Sequence, residues 1–362
     1  MKPHLQLRPY RLPLRGPWQS ARGQFSARCG WLVVASCDGE SGYGDCAPLP
    51  EAGTETTASA KHRLRHWCRS ADRLDSHGLD DNSALRMLLE RLADALPSET
   101  PAADCAVETA LLDLQSRIVG LPLRHLLSVD AKASIAVNKV LGSAAALSRQ
   151  QVSTALAQGW RVLKVKLGTS APELELAGLR AAAEVLPAGA LLRLDANGAW
   201  TWPTATGFIS GLHGLPIDCI EEPLASARDA DLARLQANAP FAIALDESLA
   251  RRPWPIDAAA LPVRRLVLKP AAIGGLRPTL RLAHAALECG RQVVLTSLVE
   301  SAAGVWATAQ LAAATDSPLA HGLATADWLQ QDLGPAPRAR LGRITLPRRP
   351  GSGFVPTDSN RL

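Results

Sequence analysis

Arg161-Val-Leu-Lys-Val-Lys-Leu167 is the stretch on which the fold turns. Side chains on a β-strand alternate faces. Val162, Lys164 and Lys166 share one face; Leu163, Val165 and Leu167 share the other. The apolar face asks for a covering layer of helices, so the two lysines point inward, near the strand's C-terminal end. The same phase recurs downstream. Leu191-Leu-Arg-Leu-Asp195 aligns Leu191, Arg193 and Asp195, and Ile217-Asp-Cys-Ile-Glu221 aligns Ile217, Cys219 and Glu221. Phe241-Ala-Ile-Ala-Leu-Asp246 aligns Ala242, Ala244 and Asp246, and Arg265-Leu-Val-Leu-Lys269 aligns Arg265, Val267 and Lys269. From Lys166 to Asp195, Glu221, Asp246 and Lys269 the intervals are 29, 26, 25 and 23 residues, about one strand–helix unit each.

Working outward, short apolar strands are expected at Ser134–Val140, Arg161–Leu167, Leu191–Asp195, Ile217–Glu221, Phe241–Asp246, Arg264–Lys269 and Gln292–Ser297, with a short eighth element near Leu319–Gly322. Helical stretches fill the gaps, as at Glu173–Leu186, Asp229–Ala237, Leu276–Glu288 and Ala302–Ala314. Strand alternating with helix predicts a parallel sheet, and this many units predict a closed α/β barrel over residues 106–325. Residues 1–105 read as an α+β domain in front of it. Strands are expected at Leu5–Arg15 and Arg28–Cys37, a Gly/Pro loop at Ser41–Pro50, and helices at Thr56–Ser70 and Ser83–Ala95. The tail, 326–362, is expected to pack on that domain.

Barrel active sites gather at the C-terminal mouth. Here the mouth would hold three carboxylates, Asp195, Glu221 and Asp246, flanked by Lys164 and Lys166 on one side and Lys269 on the other. Three partly buried carboxylates repel unless a cation joins them. Oxygen-only ligation favours Mg²⁺, or else Mn²⁺, over zinc. A lysine near a dication and a second ammonium is expected to lose its proton more readily and to serve as a base. Such a pairing suits abstraction of a proton α to a carboxylate, an arrangement the general chemistry of enolase-type sites exemplifies. Each motif alone is commonplace: Lys-x-Lys as a solvated strand edge, Asp195-Ala-Asn-Gly as a turn, Glu221-Glu-Pro as a helix start, Asp246-Glu-Ser as a helix cap. Their shared order, spacing and phase carry the reading.

The chain resembles the enolase superfamily, in the branch with Lys-x-Lys on the second barrel strand. The resemblance runs through Gly42-Tyr-Gly-Asp-Cys-Ala-Pro-Leu-Pro50, Lys164-Val-Lys166, Asp195-Ala-Asn197, Glu221-Glu-Pro223, Asp246-Glu-Ser248, Leu268-Lys-Pro270 and Thr296-Ser-Leu-Val-Glu-Ser301. Within the branch it is most similar to the o-succinylbenzoate synthases, on Leu194-Asp-Ala-Asn-Gly-Ala-Trp200, Thr296-Ser297 with Val299-Glu-Ser301, Ala320-His-Gly-Leu-Ala-Thr325 and Asp332-Leu-Gly334. The resemblance implies a modified (β/α)₇β barrel of the TIM type under an α+β capping domain. It implies Mg²⁺ on Asp195, Glu221 and Asp246, Lys166 as base and then acid, and Lys164 and Lys269 as stabilisers of the intermediate. The implied reaction is dehydration of 2-succinyl-6-hydroxy-2,4-cyclohexadiene-1-carboxylate to o-succinylbenzoate in menaquinone biosynthesis. Racemases of N-succinylamino acids, dipeptide epimerases and muconate-type cycloisomerases share the machinery. Against the dipeptide epimerases, no Asp-x-Asp follows the eighth element, where the chain reads His321-Gly-Leu-Ala-Thr-Ala326. Gly198 and Leu298 depart from residues that some synthases carry, and both leave room for a different substrate tail.

Thr296, Ser297, Gly274, Gly275, Arg193 and Asn197 complete the candidate substrate-facing set; the two glycines would offer backbone N–H groups to a carboxylate at a helix start. His321 reads as structural. The net charge of +5 is dispersed, without the basic run or aromatic platform that a nucleic acid requires, and suits a small anionic substrate. Seven cysteines without a C-x-x-C pair speak against a disulfide framework or zinc site. No apolar run suggests a signal peptide or membrane span, so a cytoplasmic enzyme is expected.

Overall fold

The computed structural model describes residues 3–20, 23–74 and 81–357. The N-terminal sheet is formed by β1 (His4–Ser20), β2 (Gly23–Cys37) and β3 (Glu40–Cys46), antiparallel in that order. Behind it lie α1 (Thr57–Asp72), α2 (Asp81–Asp94) and α3 (Pro101–Ile118), followed by the short α4 (Leu123–Leu127). Then come β4 (Ser134–Ala136), β5 (Lys139–Ser143), α5 (Arg149–Ala157), β6 (Val162–Lys166) and α6 (Pro172–Ala183). They are followed by β7 (Leu191–Asp195), α7 (Trp202–Gly211), β8 (Ile217–Glu221), α8 (Asp229–Asn238) and β9 (Ala242–Leu245). The last units are β10 (Arg265–Leu268), α9 (Pro270–Ile273), α10 (Leu276–Glu288), β11 (Gln292–Leu295), α11 (Ala302–Ala314) and β12 (Arg343–Thr345).

Strands β5 to β11 form one parallel sheet in chain order. No eighth strand forms at 319–322. Instead Gly322 bridges Thr296, past the end of β11, and His321 bridges Val137, ahead of β5. The His321 N–H reaches Ala136 O at 2.8 Å and the Asn138 N–H reaches His321 O at 2.9 Å. That segment closes the ring, giving the modified TIM-type barrel. Leu163, Val165, Leu192, Leu194, Ile243 and Leu266 are fully buried in the main core, on the helix side. On the opposite phase Cys219, Ala242, Ala244 and Val267 form a small separate cluster inside the barrel. The apolar residues that face in are therefore mostly small, and the larger Leu and Ile side chains of these strands face the helices.

Two expectations need correction. The strand foreseen at Ser134–Val140 is split. β4 pairs antiparallel with β12, and the barrel strand starts at Lys139. The Gly/Pro loop foreseen at Ser41–Pro50 is in its first half a strand, β3. Its glycines serve close packing rather than a turn: a methyl on Gly42 would overlap the Ala110 carbonyl and Leu114 nitrogen, and one on Gly44 the Ala106 carbonyl, all on α3. That helix runs unbroken from Pro101 to Ile118, through the position where the two domains were divided in the sequence.

The tail returns over the N-terminal sheet. Phe354 meets Tyr43 edge-to-face at 5.3 Å, and it shares a cluster with Tyr10, Leu32, Val34, Ala303 and Leu333. Its final five residues, 358–362, lie outside the described part. Helix α11 is apolar all round because it is buried between barrel, sheet and tail. Among the described residues no helix is long and apolar enough to cross a membrane.

Candidate active site

A cleft opens at the C-terminal ends of the barrel strands. Register brings the charged groups there. Lys166 pairs with Asp195 across β6 and β7, and Asp195 pairs with Glu221 across β7 and β8. Glu221 pairs with Ala244 on β9, two residues before Asp246. Lys269 follows β10 directly. Lys164, Lys166, Asp195, Glu221, Asp246 and Lys269 all line the cleft.

Lys164 Nζ lies 2.9 Å from Asp195 Oδ2 and also bonds Glu221 Oε2. Lys166 Nζ is 3.6 Å from Asp195 Oδ2 and donates to Asn197 Oδ1 at 3.0 Å. On the opposite wall Lys269 Nζ lies 2.7 Å from Asp246 Oδ1 and 3.8 Å from Glu247 Oε1. The expectation of easily lost lysine protons is tied to a nearby dication. The protein's own groups do the reverse: burial works against the Lys164 and Lys269 charges, but the surrounding carboxylates outweigh it and raise both. A depressed lysine pKa therefore needs positive charge beyond these six groups. Burial also pushes the Asp195 carboxyl up, yet Lys164 and Lys166 hold it below the usual range. Asp246 goes the other way, raised well above that range by burial and then by Glu247.

Asp195, Glu221 and Asp246 are the groups that could hold a cation. Among the described residues no three acidic, histidine or cysteine side chains are gathered into a formed cage. Lys164 stands between the first two carboxylates, while Asp246 Oδ1, close to Lys269, is in no hydrogen-bond geometry, and Glu247 Oε2 is buried without a partner. Buried carboxylates short of positive charge, offering oxygen donors alone, fit a hard dication.

The weaker candidates divide. Thr296, Ser297, Arg193 and Asn197 line the cleft, as does Leu298. Gly274 and Gly275 do not belong there: both N–H groups are spent on Pro270 O, at 2.9 and 3.1 Å, and a methyl on Gly275 would strike Glu108 of α3. Their φ values of 106° and 158° form the turn from α9 into α10. His321 is buried; its Nδ1 accepts the Leu295 N–H at 3.0 Å, and burial lowers it to about 3.

Other contributors escaped the sequence reading. Asp218 sits at an irregularity between β7 and β8 and bridges Arg193 (2.8 Å) and Arg265 (2.6 Å) beneath the cleft. Burial works against its charge, but the two arginines bring it to about 2. Two inward arginines inside a barrel were a legible call for a counter-ion. Glu222 Oε1 accepts the N–H groups of Asp246 (2.6 Å) and Ser248 (2.9 Å), which fixes the turn after β9. Phe25 of the N-terminal domain and Trp328 of the tail also line the cleft, and no local pattern marked these two; Leu49, Glu51 and Ala52 join them from the end of the Gly/Pro loop and the turn after it.

Residues 147–360 match the Enolase C-terminal domain-like family, and residues 3–81 match the MenC N-terminal domain. An o-succinylbenzoate synthase of Desulfotalea psychrophila is 30% identical over 87% of this chain and 91% of its own length. A hydrophobic dipeptide epimerase of Roseobacter litoralis is 28% identical over 95% and 96%. Among solved structures, a dipeptide epimerase from Methylococcus capsulatus, complexed with Mg and the dipeptide L-Arg-D-Lys, superposes with TM-score 0.82 at 28% identity, covering 98% of this chain and 99% of that one. Fold, strand-end charges and these matches converge: the chain belongs to the enolase superfamily, a superfamily of enzymes, and carries a MenC-type N-terminal domain.

Proposed function

We propose that the protein is a divalent-metal-dependent hydro-lyase that dehydrates 2-succinyl-6-hydroxy-2,4-cyclohexadiene-1-carboxylate to o-succinylbenzoate. The observation that carries it is the placement of Lys164 and Lys166 on one wall and Lys269 on the other, about a row of three buried carboxylates. Asp195, Glu221 and Asp246 would hold Mg²⁺, which when bound neutralises charge growing on the substrate carboxylate. Lys166, oriented by Asn197, takes the proton from the ring carbon bearing that carboxylate. The freed pair forms the enediolate. As it returns to the ring, the C–O bond to the hydroxyl breaks, and Lys166 gives the same proton to the departing oxygen. Water leaves, the ring becomes aromatic and no redox partner is needed. Lys164 and Lys269 add positive charge beside the intermediate, and Lys269 faces the aromatising ring.

Epimerisation of an α-carbon is the second reading, favoured by the same opposed lysines, since one could take the proton on one face and the other return it on the opposite face. The closing segment offers Gly322, Ala324 and Thr325 to the cleft and no carboxylate for an α-ammonium group, which supports the dehydratase. The test is direct. Purified protein with Mg²⁺ should bleach the cyclohexadiene absorbance and produce o-succinylbenzoate; α-deuterium exchange into dipeptides or N-succinyl amino acids in D₂O without dehydration would overturn the proposal. Chelation should abolish turnover, and added Mg²⁺ should restore it.

A further inference from the structure

Arg28, on β2, is 3% exposed, and its guanidinium touches three separate parts of the cleft wall. Its Nη2 donates to Ala47 O at 2.5 Å and its Nη1 to Pro48 O at 3.2 Å, at the root of the Leu49–Ala52 turn. Its Nε donates to Val299 O at 3.3 Å, in the segment after β11. The guanidinium carbon lies 5.4 Å from the centre of the Phe25 ring. Phe25, Leu49 and Val299 all face the cleft. Val299 holds a left-handed backbone, φ 61°, which a β-branched residue keeps only under outside restraint. The neighbouring contacts belong to the same junction: Asp45 accepts the Tyr10 hydroxyl and the Ser301 N–H (2.6 Å), and Glu300 accepts the Leu298 N–H.

We propose that Arg28 is a positioning residue for substrate specificity: by tying β2, the Ala47–Ala52 turn and the Ser297–Ser301 segment together, it builds the apolar wall that receives the substrate's distal portion, away from the lysines. A planar fork with five donors suits three carbonyls approaching from different directions; an ammonium on a flexible stem holds fewer of them in fixed geometry. Because the fork's hydrogen bonds run to wall carbonyls and not to Lys164, Lys166, Lys269 or the three carboxylates, its loss weakens binding and leaves the chemical step alone. The inference rests on the cleft being the substrate site, whichever superfamily reaction occurs there.

The test has an arm that needs no substrate. In R28M, hydrogen–deuterium exchange should quicken in peptides covering 47–54 and 297–301 and stay unchanged in 217–221. With whichever substrate the wild type turns over, KM should rise about tenfold with kcat within about twofold, and R28K should recover part of both effects. Unchanged exchange and KM in folded R28M, or a fall in kcat at constant KM, would overturn the assignment. If R28M does not fold, R28K decides by the same two readings. Should the wild type epimerise dipeptides rather than dehydrate, the dehydratase proposal fails while this test proceeds on the dipeptide.

Discussion

At the barrel mouth, Lys166, Asp195 and Glu221 arrive on strands paired residue to residue. At the rim, Phe25, Leu49 and Val299 are brought together by one arginine reaching a carbonyl 271 residues away. The mouth is a lattice: β-sheet register places Lys164, Lys166, Asp195 and Glu221, while Asp246 and Lys269 sit just past their strand ends, Asp246 held by Glu222. The rim is a junction between domains, where each wall piece depends on the others. Chemistry is therefore housed on the rigid part, and selectivity on the part that can vary without disturbing it.

The largest test of this division is K166A. Loss of a general base should lower kcat by up to about 10⁴-fold while far-ultraviolet circular dichroism and thermal midpoint are kept; near-normal turnover would remove Lys166 from the chemistry. Next is the lattice itself. D218N leaves Arg193 and Arg265 buried against a neutral amide, and should cost about 3–5 kcal/mol in a urea titration; a cost near zero would mean the floor does not need its counter-ion.

A smaller effect sharpens the rim. Burial, then Asp45, raises Glu300 to about 7, against the pull of Arg28 and of backbone N–H groups. A carboxyl whose pKa is raised on folding binds its proton more tightly in the native state, so its stabilising share is complete below about pH 4 and is lost as pH climbs towards and past 7. Cys105 and Asp45 face it from α3 and β3, and both are themselves raised by burial. E300Q should flatten the decline in thermal midpoint between pH 5 and 8, and an unchanged slope in calorimetry would place the titration elsewhere. Smallest is L298S. Trading one apolar contact in the cleft, worth about 1–2 kcal/mol, should move KM less than about tenfold and leave kcat alone; a collapse of kcat would put Leu298 among the groups that act on the reacting atoms.

Much of the cleft was legible in linear order because strand periodicity and unit length are local properties. A charge at the inward phase of one strand end, repeated every 23 to 29 residues, has one economical explanation in a parallel barrel. Local order misled where the same residue types serve different ends. Gly42 and Gly44 look like a loop but seat β3 against α3, and Gly274 and Gly275 look like an anion site but turn α9 into α10. How closely the carboxylates approach Lys164 and Lys269 was likewise beyond local order, and that approach is what raises both in the protein alone.

The sequence by itself determined the alternation of strand and helix, the phase of the inward face and the order of the charges along the chain, because each follows from torsional geometry over a few neighbouring residues. Only the tertiary structure decided that the segment near 319–322 closes the ring by single bridges rather than a strand, that Asp218 is the group joining two arginines, and that Arg28 gathers carbonyls from both domains. Those are contacts between distant segments, set by how whole layers pack, and no local pattern encodes them.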